Sequence, residues 1–314
     1  MLLQTGQRTD IPAFYSQWFM NRIRQGYVLV RNPYYPKTVL KYKIDPEHVE
    51  ILGFCTKNPH PMLPYLDELS LYHQFWFVTI TSYGKDIEPN VPNKKQILED
   101  FKILSKKLGK QCIVWRFDPI FISERYSISY QLHAFETIAK ELCGYTQTVV
   151  ISFIDLYDKV KRNFPEVREV NKEDRLFLGK EMIRIAHKYG MEVKTCAEGR
   201  ELEVFGANCD GCTTKETLEK ALHLTLDVPV SKTNGRKECS CLIAGDIGEY
   251  NTCMHFCRYC YANYSRERVL ENYKKHDPDS PLLIGHVQKE DVIKEAQQPS
   301  WIRKHVQISL FEEL

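Results

Sequence analysis

The chain has 314 residues, of which 43% are hydrophobic and 27% are charged, and its formal net charge is +2. This composition is typical of a globular protein and excludes a mainly disordered chain, while the small net charge gives no support for nucleic-acid binding. No run of about 18 apolar residues occurs, and the first residues lack the basic and apolar segments of a secretory signal, so we expect a cytoplasmic protein that does not enter a membrane.

Short β-branched or aromatic runs alternate with helical patterns from residue 1 to about 230, which indicates an α/β protein with a parallel sheet. The predicted strands are Leu2–Thr5, Val49–Phe54, Phe75–Ile80, Cys112–Trp115, Thr148–Phe153 and Glu192–Thr195, with a seventh near Val204. The helical patterns cover residues 12–24, 94–108, 127–142, 172–189 and 214–224. Together they predict a full or partial TIM-like (β/α) barrel, with an open doubly wound sheet as the alternative.

Local signals set the bounds of several elements. Residues 27–43 are predicted to form an inserted hairpin. Thr9 or Asp10 is predicted to cap the first helix, because either side chain accepts hydrogen bonds from free first-turn amides and Pro12 has no amide to satisfy. Gly190 is placed to end the helix before it.

The composition changes at about residue 231, which divides the chain into three predicted regions. Residues 1–230 are expected to form the barrel, and residues 231–275 a cysteine-rich iron–sulfur module that begins with a polar linker. Residues 276–314 form a polar tail with apolar patches at 282–284 and 306–310. We expect these patches to pack on the barrel.

Polar side chains follow the predicted strands at their carboxyl ends. In a parallel barrel these ends form one rim, so residues that are distant in sequence meet there. The candidate catalytic residues at this rim are Arg8, Asp10, Lys57, Asn58, Arg116, Asp118, Asp155, Glu198 and Cys209. Arg8, Lys57 and Arg116 favour an anionic small-molecule substrate because they make the potential positive. Alternatively, Arg116 and Asp118 form a buried structural pair.

The chain contains eleven cysteines, which we expect to be reduced thiols because there is no secretory signal. Cys209 and Cys212 form a CxxC motif that suits redox chemistry or metal binding. Cys209 is the candidate for the rim, and Cys212 is expected to be passive. Cys112 and Cys143 are expected to be small core residues.

Cys253, Cys257 and Cys260 form a CxxxCxxC motif, preceded by Cys239 and Cys241. On a short loop, three such thiolates can hold a 4Fe-4S cluster and leave the fourth iron open to an exogenous ligand. Cys239 or Cys241 could instead close a four-cysteine site that suits zinc or a structural cluster. The motif also has the i, i+4, i+7 spacing of one helix face, so three buried, metal-free cysteines are a further alternative.

Several stretches resemble a family of bacterial proteins known only as a domain of unknown function, with a barrel followed by a cysteine cluster. They span nearly the whole chain and are Arg8–Tyr15, Thr56–Pro59, Trp115–Pro119, Ile151–Asp155, Asp246–Cys253 and Cys260–Asn263. Cys55 departs from the family pattern, in which an aromatic residue is usual. Through its barrel and its CxxxCxYC motif the family is similar to radical S-adenosylmethionine enzymes, including the DNA photoproduct lyases.

The resemblance implies an iron–sulfur enzyme whose open iron binds the amino and carboxylate groups of S-adenosylmethionine. Such an enzyme would receive electrons from a donor such as ferredoxin or flavodoxin and generate a radical that abstracts hydrogen from the substrate. One alternative is a non-catalytic or metal-sensing protein with a closed zinc or structural cluster site. Another is a hydrolase or lyase that uses the cluster as a Lewis acid.

Overall fold

The computed structural model describes residues 1–228, 240–243 and 245–302. Its strands in chain order are β1 (Leu2–Gln4), β2 (Tyr27–Arg31), β3 (Thr38–Lys43), β4 (Ile51–Thr56), β5 (His73–Thr79), β6 (Ile113–Ile120), β7 (Thr148–Phe153), β8 (Glu192–Thr195), β9 (Gly245–Asp246) and β10 (Val292–Glu295). Its α-helices are α1 (Ile11–Phe14), α2 (Ser16–Gln25), α3 (Lys94–Leu108), α4 (Ile128–Leu142), α5 (Asp158–Asn163), α6 (Lys172–Lys188), α7 (Lys215–Leu222) and α8 (Arg266–Lys274). Short 3-10 helices cover His60–Tyr65 and Glu203–Phe205.

The main sheet has seven strands in the order β8-β7-β6-β5-β4-β1-β9. Every neighbouring pair in it is parallel. Helices α3, α4 and α6 connect successive strands between β5 and β8, so the α/β class with a parallel sheet is confirmed. In the part of the chain that the structure describes, β8 and β9 are the edges of this sheet, and closure into a barrel stays a prediction.

The central strands are apolar along their length because both faces of the sheet are covered. All residues of β5 after His73 are buried, and Trp76 stacks on Phe54 of β4 with a ring-centroid distance of 4.0 Å. On the helix side, Phe135 of α4 stacks on Trp115 of β6 at 4.8 Å. Continuous apolar strands of this kind are typical of parallel sheets, and they made the six strands visible in the sequence.

The seventh strand is not the one that the sequence suggested. Val204 lies in the 3-10 helix Glu203–Phe205 and is 81% exposed, so the prediction of a strand there is wrong. Val204 and Phe205 form only a two-residue apolar run between Glu203 and Gly206, which is too short to supply the apolar face that a strand buries. The seventh strand is β9, which pairs with β1 and leads into the cysteine motif.

The predicted helix bounds are correct in part. Asp10 caps α1 by accepting a hydrogen bond from the Ala13 amide at 3.0 Å, as expected. The predicted helix 12–24 is divided at Tyr15, where the backbone leaves the helical region with φ −133°. Helix α6 ends just before Gly190, whose φ is +73°, a conformation that glycine adopts without strain.

The predicted hairpin forms a second, smaller sheet with the C-terminal part of the chain. Strands β2 and β3 pair in antiparallel fashion, and β10 adds to β3 in parallel. The indole of Trp18 in α2 donates to the carbonyl of Ser280 at 2.9 Å, and Leu282 is buried against Leu29. The polar linker before Ser240 and the apolar patch 306–310 lie outside the described residues.

None of the helices in the described ranges is both long enough and apolar enough to cross a membrane.

Candidate functional site at the carboxyl edge of the sheet

The CxxxCxxC segment is a loop that follows the carboxyl end of β9. Residues 253–260 consist of turns, and Phe256 has a left-handed φ of +55°. The three cysteines therefore do not lie on one helix face, so the helical placement is wrong, while buried, metal-free cysteines stay an alternative. Cys257 is 8% exposed, and burial raises the pKa of all three thiols. We call Cys253, Cys257 and Cys260 the cysteine triplet.

The triplet loop packs on the segment that follows β5. The Arg258 amide donates to the Ile87 carbonyl at 3.0 Å, and the Asn90 amide donates to the His255 carbonyl at 3.2 Å. The Asn90 side chain donates to the Met254 carbonyl at 2.8 Å. Backbone hydrogen bonds thus fix the loop against the carboxyl edge of the main sheet.

Glu88 is the centre of a buried ionic network under this loop. Its carboxylate accepts hydrogen bonds from Lys57 and Lys94, each at 2.9 Å, and from the Tyr259 hydroxyl. Thr81 also donates to it, at 2.7 Å. Burial alone would raise the pKa of Glu88, but the two lysine charges outweigh it and lower the pKa to about 2.

Lys57 carries positive charge to the triplet. Burial lowers its pKa, but the charges of Glu88, Cys257 and Asp118 together raise the pKa above its ordinary value. The ammonium group also lies 5.5 Å from the centre of the Tyr259 ring. Lys57 therefore stays charged next to a thiol of the triplet, where it would stabilise a thiolate.

Asp10, the residue that caps α1, also contacts the triplet loop through its side chain. Its Oδ2 atom accepts a hydrogen bond from the Lys57 amide at 2.8 Å and lies 2.9 Å from Nε2 of His255. Three buried polar atoms near this point, Thr9 Oγ1, His255 Nδ1 and Asn263 Oδ1, lack a hydrogen-bond partner within the described ranges. Buried polar groups of this kind are usually satisfied by a ligand, ion or water.

Arg116 and Asp118, at the end of β6, form the second charged pair of the rim. The Arg116 Nε atom lies 3.1 Å from both carboxylate oxygens of Asp118, and the two side chains are 15% and 13% exposed. Ser152 of β7 donates to Asp118 at 3.4 Å. The two residues therefore neutralise each other in part, as the structural alternative predicted.

Arg8 forms an ion pair and Asn58 forms a hydrogen bond with a nearby residue. Arg8 pairs with Asp246 at the end of β9, with its Nε atom 2.5 Å from the carboxylate. The Asn58 amide donates to the Thr56 hydroxyl at 2.9 Å. The Arg8 charge is thus compensated, and its contact with Asp246 connects β1 to the strand that leads into the triplet loop.

The remaining predicted rim residues differ in exposure. Asp155 is exposed and accepts a hydrogen bond from Tyr157 at 3.1 Å. Glu198 is mostly buried, accepts from the Phe153 amide at 2.8 Å and pairs with Arg175 at 2.6 Å. Burial outweighs both contacts and raises the pKa of Glu198 to about 7, which suits a general acid or base. Cys209 is 4% exposed.

A second group of thiols lies beside Arg116. The sulfur atoms of Cys212 and Cys241 are 3.7 Å apart, and the Cys212 thiol also interacts with that of Cys196. Arg116 Nη1 lies 3.6 Å from the Cys212 sulfur. Hydrogen bonds from Cys196 and Cys241 and the Arg116 charge outweigh burial and lower the pKa of Cys212 well below its ordinary value. We call Cys196, Cys212 and Cys241 the rim thiols.

These contacts change several expectations for single cysteines. Cys212, expected to be passive, is the thiol that contacts Arg116 at the rim. Cys241, a candidate fourth ligand of the triplet, has its sulfur next to Cys212, and Cys239 lies outside the described residues. Cys112 is buried as predicted, whereas Cys143 is exposed, so the prediction of a core position for it is wrong.

The sequence did not single out several residues of the site. Glu88 and Lys94 belong to the loop after β5 and the start of α3, and His255 lies within the motif itself. His255 had a signal, because it is a polar side chain between two cysteines, and Tyr259 was noted only as the aromatic residue of the CxxxCxYC motif. Glu88 and Lys94 had none, since a charged residue beyond a strand usually faces water.

The spacing of possible metal ligands can be compared with known metal geometry. In the described ranges only Asp45, Glu47 and His48 bring three ligand atoms within 4.8 Å of one another. A zinc ion with bonds of about 2.3 Å holds its thiolates roughly 3.8 Å apart. Thiolates of a cuboidal cluster bind different irons and are farther apart. Neither the cysteine triplet nor the group of rim thiols brings all three of its sulfur atoms within 4.8 Å of one another.

Comparison with known proteins identifies a family for this chain but does not indicate which reaction, if any, it catalyses. The family model described as a domain of unknown function (DUF1848) matches residues 2–262. No curated protein matches the chain. The crystal structure of a class V chitinase from Pseudomonas fluorescens Pf-5 is similar at 12% identity and a TM-score of 0.27. That match covers 64% of this chain and 54% of the chitinase chain, so this chain spans about half of it.

Proposed function

The chain belongs to the DUF1848 family of unknown function, and we propose that it is an iron–sulfur enzyme with chemistry of the radical S-adenosylmethionine type. One observation carries the proposal. The cysteine triplet lies on a non-helical loop that is fixed over the charged edge of a parallel sheet, with Lys57 beside Cys257. In parallel α/β proteins this edge is where active sites form.

The residues present fit a cluster held by the triplet. The donor set is three thiols on turns, and the Ala262 amide donates to the Cys260 sulfur at 3.4 Å, as amides commonly do around cluster ligands. The position of Cys241 beside Cys212 supports a set of three thiolates and one open iron. When bound, such a cluster supplies one-electron reduction and a coordination site for S-adenosylmethionine.

The surrounding side chains have roles of their own in this proposal. Lys57 balances the thiolate charge near Cys257 and is held by Glu88 at 2.9 Å. Tyr259 and the Asp10–His255 contact keep the loop closed over the sheet and exclude water. Arg116, at the same rim, is the candidate cation for an anionic group of the substrate.

The strand order supports a finer proposal for the fold. Six of the seven strands are neighbours in the order in which they occur in the chain, as in a (β/α) barrel. We propose that the main sheet is a partial barrel whose mouth is the rim. The triplet loop then enters this mouth from the strand next to β1.

The first experiment counts iron and sulfide after anaerobic reconstitution. The wild-type chain should bind about four iron and four sulfide more than a variant with Cys253→Ser, Cys257→Ser and Cys260→Ser. Cys143→Ser is the matched control, because this thiol is exposed and away from the motif, and it should bind as much as the wild type. With reductant and S-adenosylmethionine, only the proteins with an intact triplet should form 5′-deoxyadenosine.

Two results would contradict the proposal in different ways. Equal iron and sulfide in the triple variant, or zinc that only the triple variant loses, would favour the closed, non-catalytic or metal-sensing site. A triplet-bound cluster whose electron paramagnetic resonance spectrum does not respond to S-adenosylmethionine, and which forms no 5′-deoxyadenosine, would favour a Lewis-acid hydrolase or lyase.

A further inference from the structure

We infer that the rim thiols, Cys196, Cys212 and Cys241, form a second binding site for a thiophilic metal centre, either zinc or iron–sulfur. Three separate segments bring these thiols together. Cys196 directly follows β8, Cys212 precedes α7, and Cys241 lies in the short described segment 240–243. This site is independent of the proposed function of the triplet.

One distance within the group, that between Cys212 and Cys241, is typical of two ligands of one metal, although the three sulfur atoms do not all lie within 4.8 Å of one another. The 3.7 Å separation of the Cys212 and Cys241 sulfurs is close to the roughly 3.8 Å of two thiolates on one zinc or one iron. The third thiol, Cys196, interacts with the central one, Cys212. By contrast, the buried thiol of Cys112 lies against a single backbone carbonyl, that of Ala221, at 3.4 Å.

Hydrogen-bond donors around the group favour negatively charged sulfur. The Thr213 amide donates to the Cys241 sulfur at 3.2 Å, and Arg116 donates to the Cys212 sulfur at 3.6 Å. Soft thiolate ligands select zinc and iron–sulfur centres over hard cations. A metal held by several thiolates has excess negative charge, which a guanidinium and an amide stabilise.

The rim thiols also lie close to the residues under the triplet. Asp118 pairs with Arg116 on one side and acts on the Lys57 charge on the other. Cys55, at the end of β4, interacts electrostatically with Arg116, Asp118 and Cys212. A metal at the rim thiols would therefore share the carboxyl edge of the sheet with the triplet loop.

The test measures zinc, iron and sulfide in anaerobically purified full-length protein. Cys212→Ser and Cys241→Ser should each contain one metal centre fewer than the wild type, while the matched control Cys112→Ser keeps it. Loss of zinc alone would identify a single ion, and loss of iron with sulfide a cluster. The triplet variant should retain this centre, which separates failure at this site from failure of the proposed function.

A cobalt titration gives a second readout that does not depend on the metal acquired during expression. Chelator-treated triplet variant should bind Co²⁺ with strong thiolate-to-cobalt absorbance, and adding Cys212→Ser should abolish most of it. Unchanged metal content and absorbance in both serine variants, with far-ultraviolet circular dichroism showing intact folding, would overturn the inference. So would metal-free protein in which mass spectrometry finds a Cys212–Cys241 disulfide, because the thiols would then be a redox pair.

Discussion

The triplet and the rim thiols meet the same edge of one sheet, but they are built in different ways. The triplet comes from one loop of consecutive turns, so its spacing is set by the local backbone. The rim thiols come from three segments that only the fold brings together. A motif search detects the first arrangement and not the second.

The two groups also differ in the carboxylate that forms ion pairs with the lysine or arginine side chains beside them. On the triplet side, Glu88 compensates both Lys57 and Lys94 and its side chain is 1% exposed. On the rim-thiol side, Asp118 forms an ion pair with Arg116 and is 13% exposed. Because desolvated charges depend most on their partners, we expect the triplet side to lose more stability when its carboxylate is neutralised.

The largest effect is expected for Glu88→Gln. The substitution leaves the charges of Lys57 and Lys94 without their buried counter-ion and weakens the contact with Tyr259. We expect it to lower the free energy of unfolding by about 3 kcal/mol, measured by denaturant titration. Glu68→Gln, which removes the exposed pair with Arg24, is the control and should be nearly neutral.

A smaller effect is expected for Asp118→Asn. Asparagine keeps one acceptor oxygen for Arg116, and the pair is closer to solvent, so we expect a loss of about 2 kcal/mol. Asp67→Asn, at an exposed pair with Lys107, is the matched control and should be nearly neutral. A loss of unfolding free energy equal to or greater than that of Glu88→Gln would show that Asp118 stabilises the fold at least as much as Glu88 does.

The smallest effect concerns Glu249, a glutamate on the triplet side that behaves in the opposite way to Glu88. Burial outweighs the charges of Arg31 and Arg8 and raises the pKa of Glu249 from 4.5 to about 7. The folded protein thus keeps a proton that the unfolded chain releases in this range, and stability contributed by the neutral carboxyl falls as pH rises from about 4.5 to 7.

Glu249→Gln should remove that part of the pH dependence. Relative to the wild type, we expect the variant to gain about 1 to 2 kcal/mol of unfolding free energy between pH 5 and pH 8. Glu136→Gln, at a surface carboxylate whose pKa is lowered by Lys188, serves as the control and should show no such gain. An identical pH profile for wild type and Glu249→Gln would mean that Glu249 is charged in the folded protein near pH 5.

The sequence predicted those parts of the fold that depend on local or periodic patterns. The apolar runs of β4 to β8, the Asp10 cap and the end of α6 at Gly190 follow from such patterns. The division of helix 12–24 at Tyr15 did not, because the helical pattern continues through it. Strand β9 was also missed, since two residues are too short for a periodicity.

For the site, the sequence by itself identified the triplet as a set of candidate ligands, because a spacing of a few residues on a loop keeps the three thiols near one another. Only the tertiary structure decided that Glu88 would lie beneath this loop and that Cys241 would lie beside Cys212. Both outcomes depend on which loops lie next to each other at the carboxyl edge of the sheet. The strand order determines these neighbours, and they cannot be read from the separation of the loops along the chain.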